Sequence, residues 1–122
     1  MNNESNKRFT LPKNVIIKKS QEFRDIFSSG IFFKSPNFTL VARPSTCTRI
    51  GFTVQRRIKP VVKRNRIKRR CRELWRLCWH RLSISADIVL VGKDSVLDTP
   101  FDVLKLEFIR LLKRLNSNKS FQ

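Results

Sequence analysis

The sequence contains no tyrosine and only one histidine, and three of its 122 residues are glycine. The scarcity of glycine excludes the glycine-rich loops that hold phosphates in nucleotide-binding domains. No run of about eighteen apolar residues occurs, so a membrane-spanning helix is not expected. The amino-terminal residues lead into no apolar segment of the kind found in secretory signals. We therefore expect a single domain in the cytoplasm, without membrane association.

Acidic residues are also scarce, with nine Asp and Glu against 27 Lys and Arg. They are scattered along the chain, and His80 has no recognisable nucleophile beside it, so no general acid–base or nucleophilic site is visible. Cys47, Cys71 and Cys78 lack the spacing of metal ligands and are expected to be buried free thiols. The sequence thus predicts neither catalytic residues nor metal ligands in the protein.

Positive charge is concentrated in residues 56–72. This segment carries ten Lys and Arg and no acid, and the other 105 residues add only +8, from 17 basic and 9 acidic side chains, to reach the net charge of +18. The ten cations are Arg56, Arg57, Lys59, Lys63, Arg64, Arg66, Lys68, Arg69, Arg70 and Arg72. Because no acid within the segment relieves their repulsion, the segment is destabilising unless an anion binds to it. A polyanionic partner is predicted, and nucleic acid is favoured over an anionic membrane surface.

Apolar residues run through the same segment at helical spacing. They are Ile67, Cys71, Leu74, Trp75, Cys78 and Leu82. The pattern predicts a helix from Pro60 or Val61 to about Leu82, roughly 33 Å long, which spans several consecutive phosphates. We interpret it as a folded basic helix with one buried stripe, in which Asn65 adds a neutral donor and acceptor between two arginines.

The remaining patterns predict two further helices and four strands. A short helix is expected at residues 20–29, capped by Ser20 and ended by Gly30. A last helix is expected to be capped by Thr99 and to end near Asn116. Strands are predicted at residues 31–33, 38–43, 49–55 and 87–92.

The order of these elements predicts the fold class. A short loop joins the second and third strands, so we expect them to pair antiparallel, and the almost wholly apolar fourth strand is expected in the centre of the sheet. The order helix–strands–helix–strand–helix predicts an α+β two-layer sandwich with the helices on one face of a small mixed sheet. Residues 11–116 are expected to form the domain, with residues 1–10 and 117–122 as flexible tails.

The aromatic residues are ten Phe and two Trp. Most of them are expected in the core. Phe23 and Phe27 on the short helix, near a strand that carries Phe38, are candidates for rings that stack on unpaired bases.

The segment Arg64-Asn-Arg-Ile-Lys-Arg69, preceded by residues 49–57, resembles the signature of the bacterial ribonuclease P protein subunit. Residues 22–30 resemble the first helix of that family, and residues 86–115 resemble its last strand and helix. The resemblance covers about residues 11–115. The chain departs from the family pattern at Lys59-Pro-Val61, where the family usually has Gly-Asn-Ala, and at Val41, where an aromatic residue is common.

The resemblance implies a fold and an activity. The fold would include a left-handed βαβ crossover, against the general right-handed rule. The protein would support endonucleolytic removal of the 5′ leader of precursor tRNA by binding the catalytic ribonuclease P RNA and the leader. The chemistry would belong to that RNA and to Mg²⁺ held mainly by it, and the protein would be a monomer in a 1:1 complex with the RNA.

The resemblance also implies two groups of site residues. The RNA-binding group, to which the charge of the segment adds Lys59, Lys63 and Arg72, is Arg56, Arg57, Lys59, Lys63, Arg64, Asn65, Arg66, Lys68, Arg69 and Arg72. The group expected in the leader-binding cleft, between the first helix and the sheet, is Phe23, Phe27, Phe38 and Arg49.

Three other functions remain open from the residues alone. A ribosomal or other structural RNA-binding protein would use the same helix without promoting leader cleavage. A transcription factor would place the helix in the major groove of DNA, although no helix-turn-helix or heptad pattern supports this. A protein nuclease would be active without an RNA subunit.

Overall fold

The computed structural model describes residues 15–122, so the predicted tail at residues 1–10 lies outside the described part. The α-helices and strands of this part are α1 (Ser20–Ser29), β1 (Ile31–Lys34), β2 (Phe38–Pro44), β3 (Arg49–Val54), α2 (Val61–Cys78), β4 (Ala86–Gly92) and α3 (Phe101–Ser117). Short 3₁₀ helices follow α2, β4 and α3 at Trp79–Arg81, Asp94–Asp98 and Lys119–Phe121. The predicted helices and strands are all present, and the mixed α+β class is confirmed.

The four strands form one mixed sheet in the order β1-β2-β4-β3. β2 pairs antiparallel with both β1 and β4, and β3 pairs parallel with β4. The predicted antiparallel pairing of β2 with β3 is wrong, because α2 crosses over the sheet and returns β4 into the place between them. The central position predicted for β4 is confirmed. The left hand of the β3–α2–β4 crossover stays a prediction.

Helices cover both faces of the sheet. Leu40 and Leu90, which are opposite each other in the register, belong to the main core together with residues of α2 and α3. On the other face, Val41 and Val89 form a smaller cluster with Ile26 of α1. The expectation of helices on one face is therefore wrong for α1. Because β4 is apolar at successive positions, both of its faces need cover.

The helix ends differ from the predicted caps. Lys19 and Pro100, not Ser20 and Thr99, occupy the N-cap positions, and neither makes a side-chain cap hydrogen bond. The Thr99 hydroxyl donates instead to the backbone oxygen of Ser95 at 2.8 Å. α2 ends at Cys78, four residues before the predicted end, and its 18 residues span about 27 Å.

The predicted flexible tail at residues 117–122 is also wrong. Phe121 is 9% exposed and belongs to the main core, with its ring centroid 6.5 Å from that of Phe33. The side chain of Asn116 fastens the same end of the chain, because it accepts from the Ser83 amide at 2.8 Å and donates to the Arg81 carbonyl at 3.0 Å. The packed domain thus extends to Phe121.

A row of charged residues joins three strands to α1. Asp87 of β4 is 4% exposed and lies opposite Arg43 of β2 and Arg49 of β3. Its carboxylate accepts from Arg43 Nε at 3.2 Å and from Arg49 Nε at 3.0 Å. Arg49 Nη1 donates to Glu22 of α1 at 2.8 Å. The hydrogen bond to Asp87, followed by that to Glu22, raises the pKa of Arg49 further above its usual range.

The cysteines divide into two kinds. Cys71 and Cys78 are fully buried free thiols, as predicted, and burial raises the pKa of Cys71 to about 12. Cys47 lies exposed in the loop between β2 and β3, so the prediction of burial is wrong there.

We expect one fast-reacting thiol in the native protein at pH 8. Cys47 should react readily with a disulfide reagent because it is exposed, while the buried Cys71 and Cys78 should react only on unfolding, because the attacking thiolate must reach the reagent. Since the folded pKa of Cys71 is above its unfolded value of about 8.5, this residue should also make stability fall as pH rises from about 9 towards 12. Thiol counting with and without denaturant, compared with Cys47→Ser, tests this; fast reaction of a second thiol would contradict it.

We expect Asp87→Ala to lower the free energy of unfolding by about 3 kcal/mol, because it leaves two partly buried arginines without their shared carboxylate. Urea denaturation measures the change. The matched control is Asp98→Ala, which removes an exposed carboxylate and should change stability by less than about 0.5 kcal/mol. Equal effects of the two substitutions would show that the row of charges does not hold the sheet to α1.

Candidate nucleic-acid interface

The basic helix α2 has one buried and one charged side. Its buried residues are Ile67, Cys71, Leu74, Trp75 and Cys78, which confirms the predicted apolar stripe. On the opposite side Asn65, Arg66, Arg69 and Arg72 are exposed. Glu73 is the only acid in the helix, and it pairs with Arg76; that hydrogen bond lowers the pKa of Glu73.

Three of the ten cations predicted in residues 56–72 are held by oxygen atoms of the protein itself. Arg64 Nη1 donates to the backbone oxygen of Gln55 at 2.9 Å. Lys63 Nζ is 2.8 Å from a carboxylate oxygen of Asp94, and Arg70 Nη1 donates to the Thr99 carbonyl at 3.0 Å. The ten cations predicted as one group are therefore not equivalent. Part of the charge anchors the helix, and the rest faces solvent.

The turn before α2 presents further cations. Arg56, Arg57 and Lys59 are exposed, and buried Ile58 fixes the turn between them. The Lys59–Pro60 peptide bond is cis. The turn thus adds three exposed cations to those on the exposed side of α2.

A groove of about 570 Å³ lies between α1, the edge strand β3 and α2. Phe23 and Phe27 of α1 line one wall, and Lys68 and Arg72 of α2 line the other, with Phe52 of β3 between them. The guanidinium carbon of Arg72 is 5.5 Å from the centroid of the Phe52 ring. The structure thus brings the predicted aromatic cleft and the predicted basic helix together in one groove.

The position of Phe23 depends on a glycine. Gly51 of β3 lies under the Phe23 ring, and a Cβ atom at this residue would be 2.8 Å from two of the ring carbons. Any larger residue would move the ring away from the strand. The glycine in the alternating segment 49–55 therefore allows α1 to approach β3 closely.

Phe32 is a further aromatic residue near the cleft that was not among the predicted site residues. It is 46% exposed on β1, its ring centroid is 6.3 Å from that of Phe27, and it is opposite Val41 in the register. An aromatic ring is therefore present beside Val41, the position at which this chain lacks the aromatic residue that is common in the family. The signal was the alternation within β1, since Phe33 is buried and Phe32 must point to the other face.

Two of the residues predicted for the cleft have other roles. Phe38 is fully buried, and its ring packs edge-on against Phe108 at 6.4 Å in the main core, so its assignment to the cleft is wrong. The reason is the alternation of β2, which puts Phe38 on the same face as Leu40. Arg49 lies on the α1 side of the sheet, but its guanidinium is held by Asp87 and Glu22.

The groove and the basic surface suit a single-stranded nucleic acid. Exposed cations neutralise phosphates, and partly exposed rings stack on bases of any sequence. Among residues 15–122, no three His, Cys, Asp or Glu side chains cluster as metal ligands would. In the same range, no helix is long and apolar enough to cross a membrane.

Comparison with known proteins gives consistent results. Residues 11–116 match the model of the Ribonuclease P family. The Ribonuclease P protein component of Desulfovibrio desulfuricans is 31% identical over 115 residues, covering 89% of this chain and 88% of that protein. That of Syntrophus aciditrophicus is 38% identical over 91 residues, covering 73% and 76%.

Solved structures show the same fold. The RNase P protein of Staphylococcus aureus superposes with a TM-score of 0.70 at 24% identity, covering 88% of this chain and 98% of that one. The RNase P protein of Thermotoga maritima gives a TM-score of 0.72 at 24% identity, with coverage of 80% and 94%.

We expect Gly51→Ala to weaken the binding of a labelled single-stranded RNA about tenfold, because it displaces the Phe23 ring on which a base would stack. Phe23→Ala should have a similar effect, and the double variant should be no weaker than either single one. Fluorescence anisotropy at fixed salt measures the affinities. Wild-type affinity of Gly51→Ala, or additive losses in the double variant, would contradict the assigned position of the ring.

Proposed function

The chain belongs to the Ribonuclease P family, and we propose that it binds the catalytic RNA of this ribonucleoprotein through α2 and the 5′ leader of precursor tRNA through the groove. As a ribonuclease P protein component it is a subunit of an endoribonuclease that processes tRNA.

The continuity of the groove carries this proposal. Lys68 and Arg72 belong to α2 and also form a wall of the groove that contains Phe23 and Phe27. A strand lying on the rings therefore meets the same helix whose outer side faces the catalytic RNA. In the proposed complex the leader lies next to the catalytic RNA, so that binding energy at the leader helps to orient the cleavage site.

The protein's own contribution is electrostatic and positional. Exposed arginines such as Arg66 and Arg69 neutralise phosphates that otherwise repel each other when two RNAs meet. Mg²⁺ performs the same neutralisation, so the protein lowers the concentration of Mg²⁺ that the complex needs. Cleavage itself is carried out by the catalytic RNA with Mg²⁺ that this RNA holds, and one protein monomer binds one RNA.

The test is cleavage of labelled precursor tRNA by the cognate catalytic RNA at low Mg²⁺, with and without protein. Wild-type protein should restore cleavage at the mature 5′ end. The triple variant Arg57→Ala/Arg66→Ala/Arg69→Ala, whose three arginines are exposed outside the groove, should not. The plot of log affinity for the catalytic RNA against log salt should become less steep by about 2.7, which is 0.9 for each of three lost phosphate contacts.

Two further variants separate the surfaces. Arg110→Ala/Lys113→Ala/Lys119→Ala removes the same charge from exposed positions on or beyond α3 and should behave like wild type. Phe23→Ala/Phe27→Ala should slow cleavage only of substrates with a leader long enough to enter the groove. If wild-type protein binds the RNA but leaves cleavage unchanged, a structural RNA-binding role replaces the proposed one.

A further inference from the structure

Arg56 and Arg57 are displayed at the tip of a tight turn. The Ile58 amide donates to the Gln55 carbonyl at 3.1 Å, which closes the turn between β3 and α2. Ile58 is 2% exposed, whereas both arginines are exposed. Arg56 also lines the groove. Two adjacent cations at the tip repel each other, so the turn needs an anchor that holds them in place.

Arg64 supplies that anchor from the first turns of α2. A single nitrogen, Nη1, lies 2.9 Å from the Gln55 oxygen, 3.3 Å from that of Arg56 and 3.3 Å from that of Ile58. Three of the four carbonyls of the turn thus converge on one guanidinium. Hydrogen bonds from a charged donor are stronger than neutral ones, and the planar guanidinium fixes their direction.

Arg64 and Arg66 therefore differ although they flank the same asparagine. Arg66 is exposed on the side of α2 that faces solvent, whereas Arg64 is half-buried and turned towards the backbone of the preceding turn. From the sequence the two arginines looked equivalent as RNA contacts. Their hydrogen-bond partners separate them.

We propose that Arg64 is a positioning residue, which holds the turn Gln55–Ile58 so that Arg56 and Arg57 meet RNA phosphates, rather than a phosphate contact itself. This inference rests on the proposed binding of RNA by this surface. Arg64 should therefore be energetically coupled to Arg56 and Arg57 in RNA binding. Loss of Arg64 should lower RNA affinity only when the two turn arginines are present.

A double-mutant cycle on the intact protein and the cognate catalytic RNA measures this coupling. Arg56→Ala/Arg57→Ala should lower the salt slope of RNA affinity by about 1.8. Arg64→Met, which keeps most of the side-chain length without the donors, should lower it by about 1 to 2 and should have no further effect in the Arg56→Ala/Arg57→Ala background. The control Arg69→Ala should lower the slope by about 0.9 in both backgrounds.

A measurement without RNA separates this inference from the proposed function. In Arg64→Met the amide of Ile58 should exchange with solvent at least about tenfold faster than in wild type, while the amide of Ile67 in α2 stays protected. Unchanged exchange at Ile58, or additive slopes for Arg64→Met and the turn variant, would overturn the positioning role alone. If none of the substitutions changes the salt slope of RNA affinity, RNA binding by this surface is overturned, whatever the exchange rate of the Ile58 amide.

Discussion

Repulsion among like charges is the constraint on which this structure depends. α2 carries eight Lys and Arg and a single acid, so the helix has to be held against its own charge. Burial of its apolar stripe opposes the repulsion, because each large apolar side chain transferred from water contributes about 1.5–3 kcal/mol. Lys63, Arg64 and Arg70 add to the attachment through acceptors of the protein itself. The fold thus uses part of the charge as anchorage and leaves the rest for a polyanion.

The sheet supports α2, and glycine residues in its strands let the helices pack close to it. Gly92 of β4 lies against α2, where a Cβ atom would be 2.5 Å from Ile67. Gly51 plays the equivalent part for α1 through the Phe23 ring. Each of these glycines lets a helix lie nearer to the strands than a side chain would allow. The groove between α1 and α2 therefore owes its dimensions to residues that contribute no side chain to it.

The periodicity of apolar residues was sufficient to predict the helices and strands, because burial of one face is a local property of the sequence. The same patterns did not predict which strands pair. The short loop between β2 and β3 suggested a hairpin, and no local pattern shows that β4 enters between them. Phe38 was assignable in principle, since the alternation of β2 groups it with buried Leu40. The role of Arg64 was not assignable, because its acceptors are backbone oxygens brought to it by the tertiary fold. The predicted cap at Thr99 was wrong for the same kind of reason, because its hydroxyl donates to the backbone oxygen of Ser95 instead of capping α3.

The insertion of β4 between β2 and β3 has a consequence for synthesis of the protein on the ribosome. Phe38 pairs with Gly92, so the sheet is incomplete until the chain has been translated beyond that residue. Because α2 precedes β4 in the chain, it leaves the exit tunnel first, with its cations displayed and without the central strand that it packs against. The nascent chain thus presents its most basic segment beside ribosomal RNA before it can fold. Pairing of strands distant in sequence is slow, which prolongs this exposure.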